Sequence, residues 1–115
     1  MKKGGGMKHL TKSEEILLLS IWKLEDNAYG VPIKKYVSKV TGRIWTFGAL
    51  YVSLDKLAKK GYVTKIKGDP IPERGGRYKI YYHLTPDGMK ALQTARELNE
   101  SLWKDVPKFA FIPEN

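Results

Sequence analysis

The sequence contains no cysteine. Disulfides, thiol nucleophiles, Cys-based zinc sites and iron–sulfur clusters are therefore excluded. Histidine is almost as scarce: His9 and His83 are the only two, and neither sits in a metal-ligand spacing. No apolar run reaches the roughly 18 residues that a membrane helix requires. The opening stretch, Met1-Lys2-Lys3-Gly4-Gly5-Gly6, lacks the apolar segment of a secretory leader. A cytoplasmic protein without a membrane partner is expected. There is no phosphate-cradling glycine loop, no nucleophile–base pair and no carboxylate cluster in an apolar setting, so an enzyme is not expected, nor a metal or cofactor.

Acidic residues are the minority. Asp and Glu number 12 against 21 Lys and Arg, for a net charge of +9 over 115 residues. The excess is uneven: +4 over residues 1–42, +6 over 43–82 and −1 over 83–115. Surface lysines can simply confer solubility, but concentration in the middle of the chain favours a polyanionic partner, nucleic acid first. The length suits one domain, and a 42% hydrophobic content is enough to build a core.

Residues 1–10 read as a flexible basic arm, because three consecutive glycines order poorly. Thr11 and Glu14 have capping-box spacing, so a first helix is predicted over residues 13–25. Ile16, Leu17, Leu18, Leu19, Ile21, Trp22 and Leu24 cover nearly every side of it. Such a helix must be buried on more than one side, and a second subunit is expected to cover part of it. A second helix follows Pro32 and stops at Thr41-Gly42, with Lys34, Lys35 and Lys39 on its surface. Arg43-Ile44-Trp45 is read as a short strand, and Trp22 and Trp45 as core residues. Thr46 is a candidate N-cap for a third helix reaching about Lys60, with Gly61 after it. Leu50, Leu54 and Leu57 make its apolar stripe; Gly48, Val52, Asp55, Lys56 and Lys59 lie opposite. Two strands are predicted next, over 62–67 and 78–84, joined by the turn-rich segment 68–76. Thr85 and Pro86 then open a last helix, to about Trp103, with Leu92, Ala95, Leu98 or Asn99, and Leu102 in a stripe.

Helix, helix, short strand, helix, hairpin, helix is the order of a winged helix-turn-helix. The fold class is thus α+β, mainly α, with an additional C-terminal helix. In this design the third helix enters the major groove, roughly 12 Å wide, with its N-terminal half toward the bases. Gly48, Ala49 and Ser53 are small enough for close approach. Thr46 and Ser53 offer hydroxyls, Val52 suits a thymine methyl, and Lys56 lies within reach of phosphate. The hairpin tip, with Arg74 and Arg77, would lie along the DNA backbone or in the minor groove. Lys35, Lys39, Lys65, Lys67 and Lys79 complete the basic surface. An alternative reading is a winged-helix module that docks proteins and binds no duplex.

The run Gly48-Ala49-Leu50-Tyr51-Val52-Ser53-Leu54-Asp55-Lys56-Leu57-Ala58-Lys59-Lys60-Gly61-Tyr62-Val63 resembles the recognition-helix signature of PadR-like transcriptional regulators. Arg77 through Gly88 is similar to that family's wing strand and its Tyr-x-Leu-Thr-x-x-Gly junction, and Tyr29-Gly30 also matches. The resemblance covers about residues 10–103, and the C-terminal region is that of the family's short subgroup. It implies a homodimeric repressor of transcription, with double-stranded DNA as partner, a palindromic operator, and often a small hydrophobic effector. It also implies that Tyr51 contacts phosphate. The family's dimers pair the C-terminal helix with the partner's first helix, which places Leu18, Trp22, Leu92, Ala95, Leu98, Leu102 and Trp103 at the interface. Trp22 or Trp103 would line an effector pocket there. The expected organisation is an arm (1–10), a winged-helix DNA-binding domain (11–85), a dimerisation helix (86–104) and a tail (105–115).

Overall fold

A computed structural model describes residues 9–71 and 77–108. The described elements run α1 (Lys12–Leu24), a 3-10 turn (Glu25–Asn27), α2 (Gly30–Thr41), α3 (Phe47–Lys59), β1 (Val63–Ile71), β2 (Arg77–Leu84) and α4 (Pro86–Trp103). The protein is a winged helix: mainly helical, with a small antiparallel two-stranded sheet. The basic arm lies largely outside the described residues, as do the hairpin tip and the end of the tail.

Three threonines start three of the helices. Thr11 forms a complete capping box with Glu14, its hydroxyl accepting from the Glu14 N–H at 3.1 Å while its own N–H donates to the Glu14 carboxylate. Thr46 accepts from the Ala49 N–H at 3.1 Å and Thr85 from the Gly88 N–H at 3.0 Å. Each cap satisfies an N–H that the first helical turn leaves without a partner. Gly42 and Gly61 close α2 and α3 with positive φ values of 70° and 81°, backbone that glycine adopts without a Cβ clash.

The core gathers Leu17, Leu18 and Ile21 of α1, Ile33 and Val37 of α2, Leu50, Leu54 and Leu57 of α3, with Ala28, Val63 and Tyr82. Helix α1 is central and touches α2, α3, α4 and β2. Leu18 is fully buried within the protomer, so it has no surface to offer a partner, which corrects its assignment to a dimer interface. Ala95 is likewise buried. Trp22 departs from the core reading: it is 55% exposed, on the flank of α1 one turn past Leu18. Trp45 is partly buried and packs on the core, its backbone N–H donating to Ser38 Oγ at 3.3 Å.

No strand forms over Arg43–Trp45. This segment bridges two helices, and Ile44 stands in solvent. The extra sheet pairing comes from an earlier segment: Tyr29 bridges Tyr81, and the Tyr82 N–H donates to Ala28 O at 2.8 Å. The hairpin strands extend further than their β-forming runs, with an irregularity between Lys67 and Pro70. Val63 pairs with Leu84, Lys65 with Tyr82 and Lys67 with Ile80, so these six share one face of the sheet. Near α3 that face is core, with Val63 and Tyr82 buried. On β1 the same face carries Lys65 and Lys67, opposite the core-packed Tyr82 and Ile80.

The hairpin is bolted back onto the end of α3. Thr85 donates its hydroxyl to Gly61 O at 2.5 Å and its N–H to Tyr62 O at 3.0 Å. A Cβ at Gly88 would collide with the Tyr62 carbonyl, so only glycine lets α4 start this close.

Candidate nucleic-acid interface

Helix α3 buries Leu50, Leu54 and Leu57 and turns the opposite side to solvent. At ~100° per residue, Gly48, Asp55 and Lys59 fall within about 40° of one another at the middle of the outward side. Tyr51 and Val52 flank that line, and Lys56 lies beyond Val52. Val52 is 55% exposed, and a Cβ at Gly48 would meet nothing within 4 Å. The outward surface is therefore low and unobstructed along the N-terminal half of the helix. Ser53 lies off this surface, half-buried on the flank nearer the leucine stripe. Its small size serves packing there, and α3 does not aim it outward with Gly48. The Thr46 hydroxyl holds the helix cap and retains a proton to donate.

The aromatic residues fix how α3 sits against its neighbours. The Tyr51 ring packs directly on the backbone of Gly30, at the first turn of α2. Phe47 stacks with Tyr51 at 6.1 Å between centroids. Tyr29 meets Tyr81 edge-on at 5.4 Å. A cleft of about 450 Å³ opens between α3 and the hairpin, with Tyr29, Phe47, Tyr51, Asp55, Lys65 and Tyr78 among its walls. Tyr82 closes it from the core side, and its hydroxyl is pushed up to about 12 by burial, with the nearby Asp55 and Tyr51 charges adding to the effect.

Basic side chains ring this surface in two states. Three rest on aromatic faces: Lys34 over Phe47 at 5.2 Å, Lys67 over Tyr78 at 4.2 Å and Lys79 over Tyr29 at 4.2 Å. A ring quadrupole attracts an ammonium without cancelling its charge. The fourth, Lys65, forms an ion pair with Asp55 of α3. Lys35 and Lys39 are exposed on α2, and Lys56 and Lys59 on α3. Arg77 opens β2, its backbone opposite Ile71, whereas Arg74 lies outside the described residues.

The structure thus brings Gly48, Tyr51, Val52 and Lys56 together on α3 and sets Lys65, Lys67 and Lys79 beside them on the hairpin. Sequence reading set Asp55 on the outward side of α3 and Lys34 on the surface of α2, but it missed Tyr29 and Phe47 as parts of the same surface and Lys65 as the partner of Asp55. Tyr29 is the N-cap of α2 and Phe47 the first residue of α3, so helical period says little about where their rings lie. The basic periodicity around Asp55 gave no hint of its partner on another element. A signal was present in Gly30: a glycine in the first turn of a helix leaves its backbone open to the close approach of a ring, here that of Tyr51.

At the far side of the molecule, a second cleft of about 500 Å³ runs between α1 and α4, with Leu19, Trp22, Met89 and Leu92 on its walls. Asn99 spans the two helices, donating its amide to the Glu15 carboxylate at 3.2 Å. Leu102 and Trp103 are also more than half exposed, at 64% and 61%. No helix among the described residues is long and apolar enough to cross a membrane.

Comparison with known proteins adds three findings. The model of the "Transcriptional regulator PadR-like family" matches residues 18–94. A comparison with curated proteins finds no match. Among solved structures, RosR of H. salinarum is similar at 28% identity and a TM-score of 0.69, covering 85% of this chain and 81% of its own. A PadR family transcription regulator from Clostridium difficile is similar at 25% identity and a TM-score of 0.57, covering 81% of this chain and 92% of its own. A single-site mutant of MarR from E. coli, complexed with operator DNA, is similar at 25% identity and a TM-score of 0.60, covering 86% of this chain and 66% of its own.

Proposed function

The chain belongs to the PadR-like family of transcriptional regulators, and from that premise we propose that it is a sequence-specific repressor that binds duplex DNA as a homodimer and has no catalytic step. One observation carries the reading. The side of α3 opposite the core is bare at Gly48 and exposed at Val52, and ammonium groups from α2, α3 and the hairpin stand around it. A low helix face inside a cationic rim suits a major groove between two phosphate rows. MarR, a structural neighbour of this chain, is complexed with operator DNA.

In this reading Gly48 and Val52 face base edges, Thr46 and Tyr51 lie toward the backbone, and Lys35, Lys39, Lys56, Lys67, Lys79, Arg74 and Arg77 contact phosphates. Phosphate contacts set position and the groove-facing side chains select sequence. The exposed apolar residues of α1 and α4, namely Trp22, Leu98, Leu102 and Trp103, with the partly buried Leu92 beside them, form the dimer contact, with residues 86–104 as the dimerisation helix. The cleft beside Trp22 would accept a small hydrophobic effector.

Selection of bound sequences from random duplex DNA tests the reading. A palindromic consensus with half-sites about one helical turn apart, roughly 34 Å, is expected. A protein that retains no duplex in dilute buffer, or that is strictly monomeric at working concentration, would overturn it in favour of a protein-docking module.

A further inference from the structure

We propose that Asp55 is a specificity determinant that withholds Lys65 from the phosphate backbone; the inference rests on the duplex-binding reading above. Asp55 is the sole acidic residue of α3 and lies at the middle of its outward side, between Gly48 and Lys59. Its carboxylate pairs with the Lys65 ammonium on β1, and both side chains are about half exposed, at 50% and 45%.

The other hairpin and α2 lysines at this surface are held differently. Lys34, Lys67 and Lys79 rest on rings, which orient an ammonium and leave its full charge for a polyanion. The Asp55–Lys65 pair is neutral as a unit. A phosphate that drew Lys65 away would leave an unpaired carboxylate facing the DNA. Lys65 therefore adds little to binding, and Asp55 lowers affinity most where phosphate contacts alone hold the duplex, which is the case in non-specific binding. Base-edge contacts made by Gly48 and Val52 beside it are spared, so the ratio of specific to non-specific binding rises. Asp55 also ties the hairpin to α3, which keeps the two DNA-facing elements in register.

The test is a cycle of wild type, D55N, K65A and the double variant. Affinity for the selected operator and for random duplex is measured across salt concentration, with circular dichroism confirming that each variant folds. D55N is expected to tighten random-duplex binding by about three- to tenfold at low salt and to steepen the salt slope by about 0.9, the value of one added phosphate contact. Operator affinity rises by less than random-duplex affinity, so discrimination falls. K65A in the wild-type background leaves the slope unchanged, and K65A in the D55N background restores it. The inference is overturned if K65A alone flattens the slope by about 0.9, since Lys65 then already sits on a phosphate. It is equally overturned if D55N weakens operator binding at a single C·G position, because the carboxylate would then be reading a cytosine amino group. Wild type that binds no duplex at any salt fails the underlying reading, an outcome distinct from wild type that binds but shows no coupling in the cycle.

Discussion

Tyr51 of α3 presses its ring against the backbone of Gly30 in α2, so closely that an added β-carbon at Gly30 would stand 2.9 Å from the ring Cζ and nearer still to the hydroxyl oxygen. This contact sets the distance between the two helices of the helix-turn-helix at the end where α3 is most exposed. It joins two sequence features far apart in the chain, Tyr29-Gly30 and Gly48-x-x-Tyr51. Gly30→Ala should therefore destabilise the protein by about 1–3 kcal/mol, the usual cost of forcing atoms into a filled space. Combining it with Tyr51→Leu should recover part of the loss. Chemical denaturation of the four members of the cycle is expected to give a coupling of roughly 0.5–3 kcal/mol; an additive result would show that the ring moves aside freely.

Two other glycines should respond in opposite directions. At Gly48 a methyl group meets open space, so Gly48→Ala gains helix propensity and should raise stability by about 0.8–1 kcal/mol. The same change should weaken duplex binding, because the methyl rises from the middle of the outward face. At Gly88 a Cβ meets the Tyr62 carbonyl, which is backbone and cannot rotate away. Gly88→Ala should lower the melting temperature. A thermal melt in which both variants shift the same way would contradict this reading of the two sites.

The Glu14 carboxyl links α1 to the end of α3 through Lys60. Burial acts to raise it, but hydrogen bonds from Lys60 and the Thr11 N–H, with the Lys60 charge, outweigh that and hold it below its ordinary value of 4.5. A carboxyl lowered in the folded state contributes stability above its unfolded value, and that contribution is lost as pH falls through the folded value. Stability should decline below about pH 4.5, with Glu14→Gln flattening that limb of the curve. Denaturant midpoints measured from pH 6 down to pH 3 would check it; parallel curves for the two proteins would count against the Lys60 link.

Tyr82 acts at the other end of the pH scale. Its value of about 12, raised chiefly by burial, exceeds the unfolded value of 10.0. The folded state keeps the proton that the unfolded state releases. Stability is intact below pH 10 and falls as pH rises toward 12, by up to ~1.4 kcal/mol per pH unit from this group. Tyr82→Phe should remove that share of the alkaline decline, read as a smaller shift of the denaturant midpoint.

The proposed dimer contact separates surface residues from core ones. Trp22→Glu and Leu102→Glu place charge on exposed apolar positions and should yield folded monomers in sedimentation velocity. Leu18→Ala instead opens a cavity within the protomer and should cost about 2–5 kcal/mol of stability. A folded dimer that persists in both Glu variants would move the contact elsewhere.

Local signals in the sequence were strong where one element could satisfy them alone. Thr11, Thr46 and Thr85 each cap the helix they precede, because capping needs only a hydroxyl and an N–H three residues later. Leu50, Leu54 and Leu57 are buried together because helical period alone aligns them. Signals that depended on a neighbour were misread. Arg43–Trp45 has strand-forming residues but no strand beside it, and Trp22 is large and apolar yet stays 55% exposed at the cleft between α1 and α4.

Composition, period and punctuation were sufficient to determine a basic winged helix with an exposed third helix, since these follow from solvent preference and backbone geometry along a single segment. Only the tertiary structure decided which charges at that surface remain available. Lys65 and Lys67 are two residues apart on one strand and chemically identical in sequence. One is paired with a carboxylate on α3 and the other rests on a tyrosine ring. A charge's partner is set by distance in space, and that distance exists only after the hairpin has folded against α3.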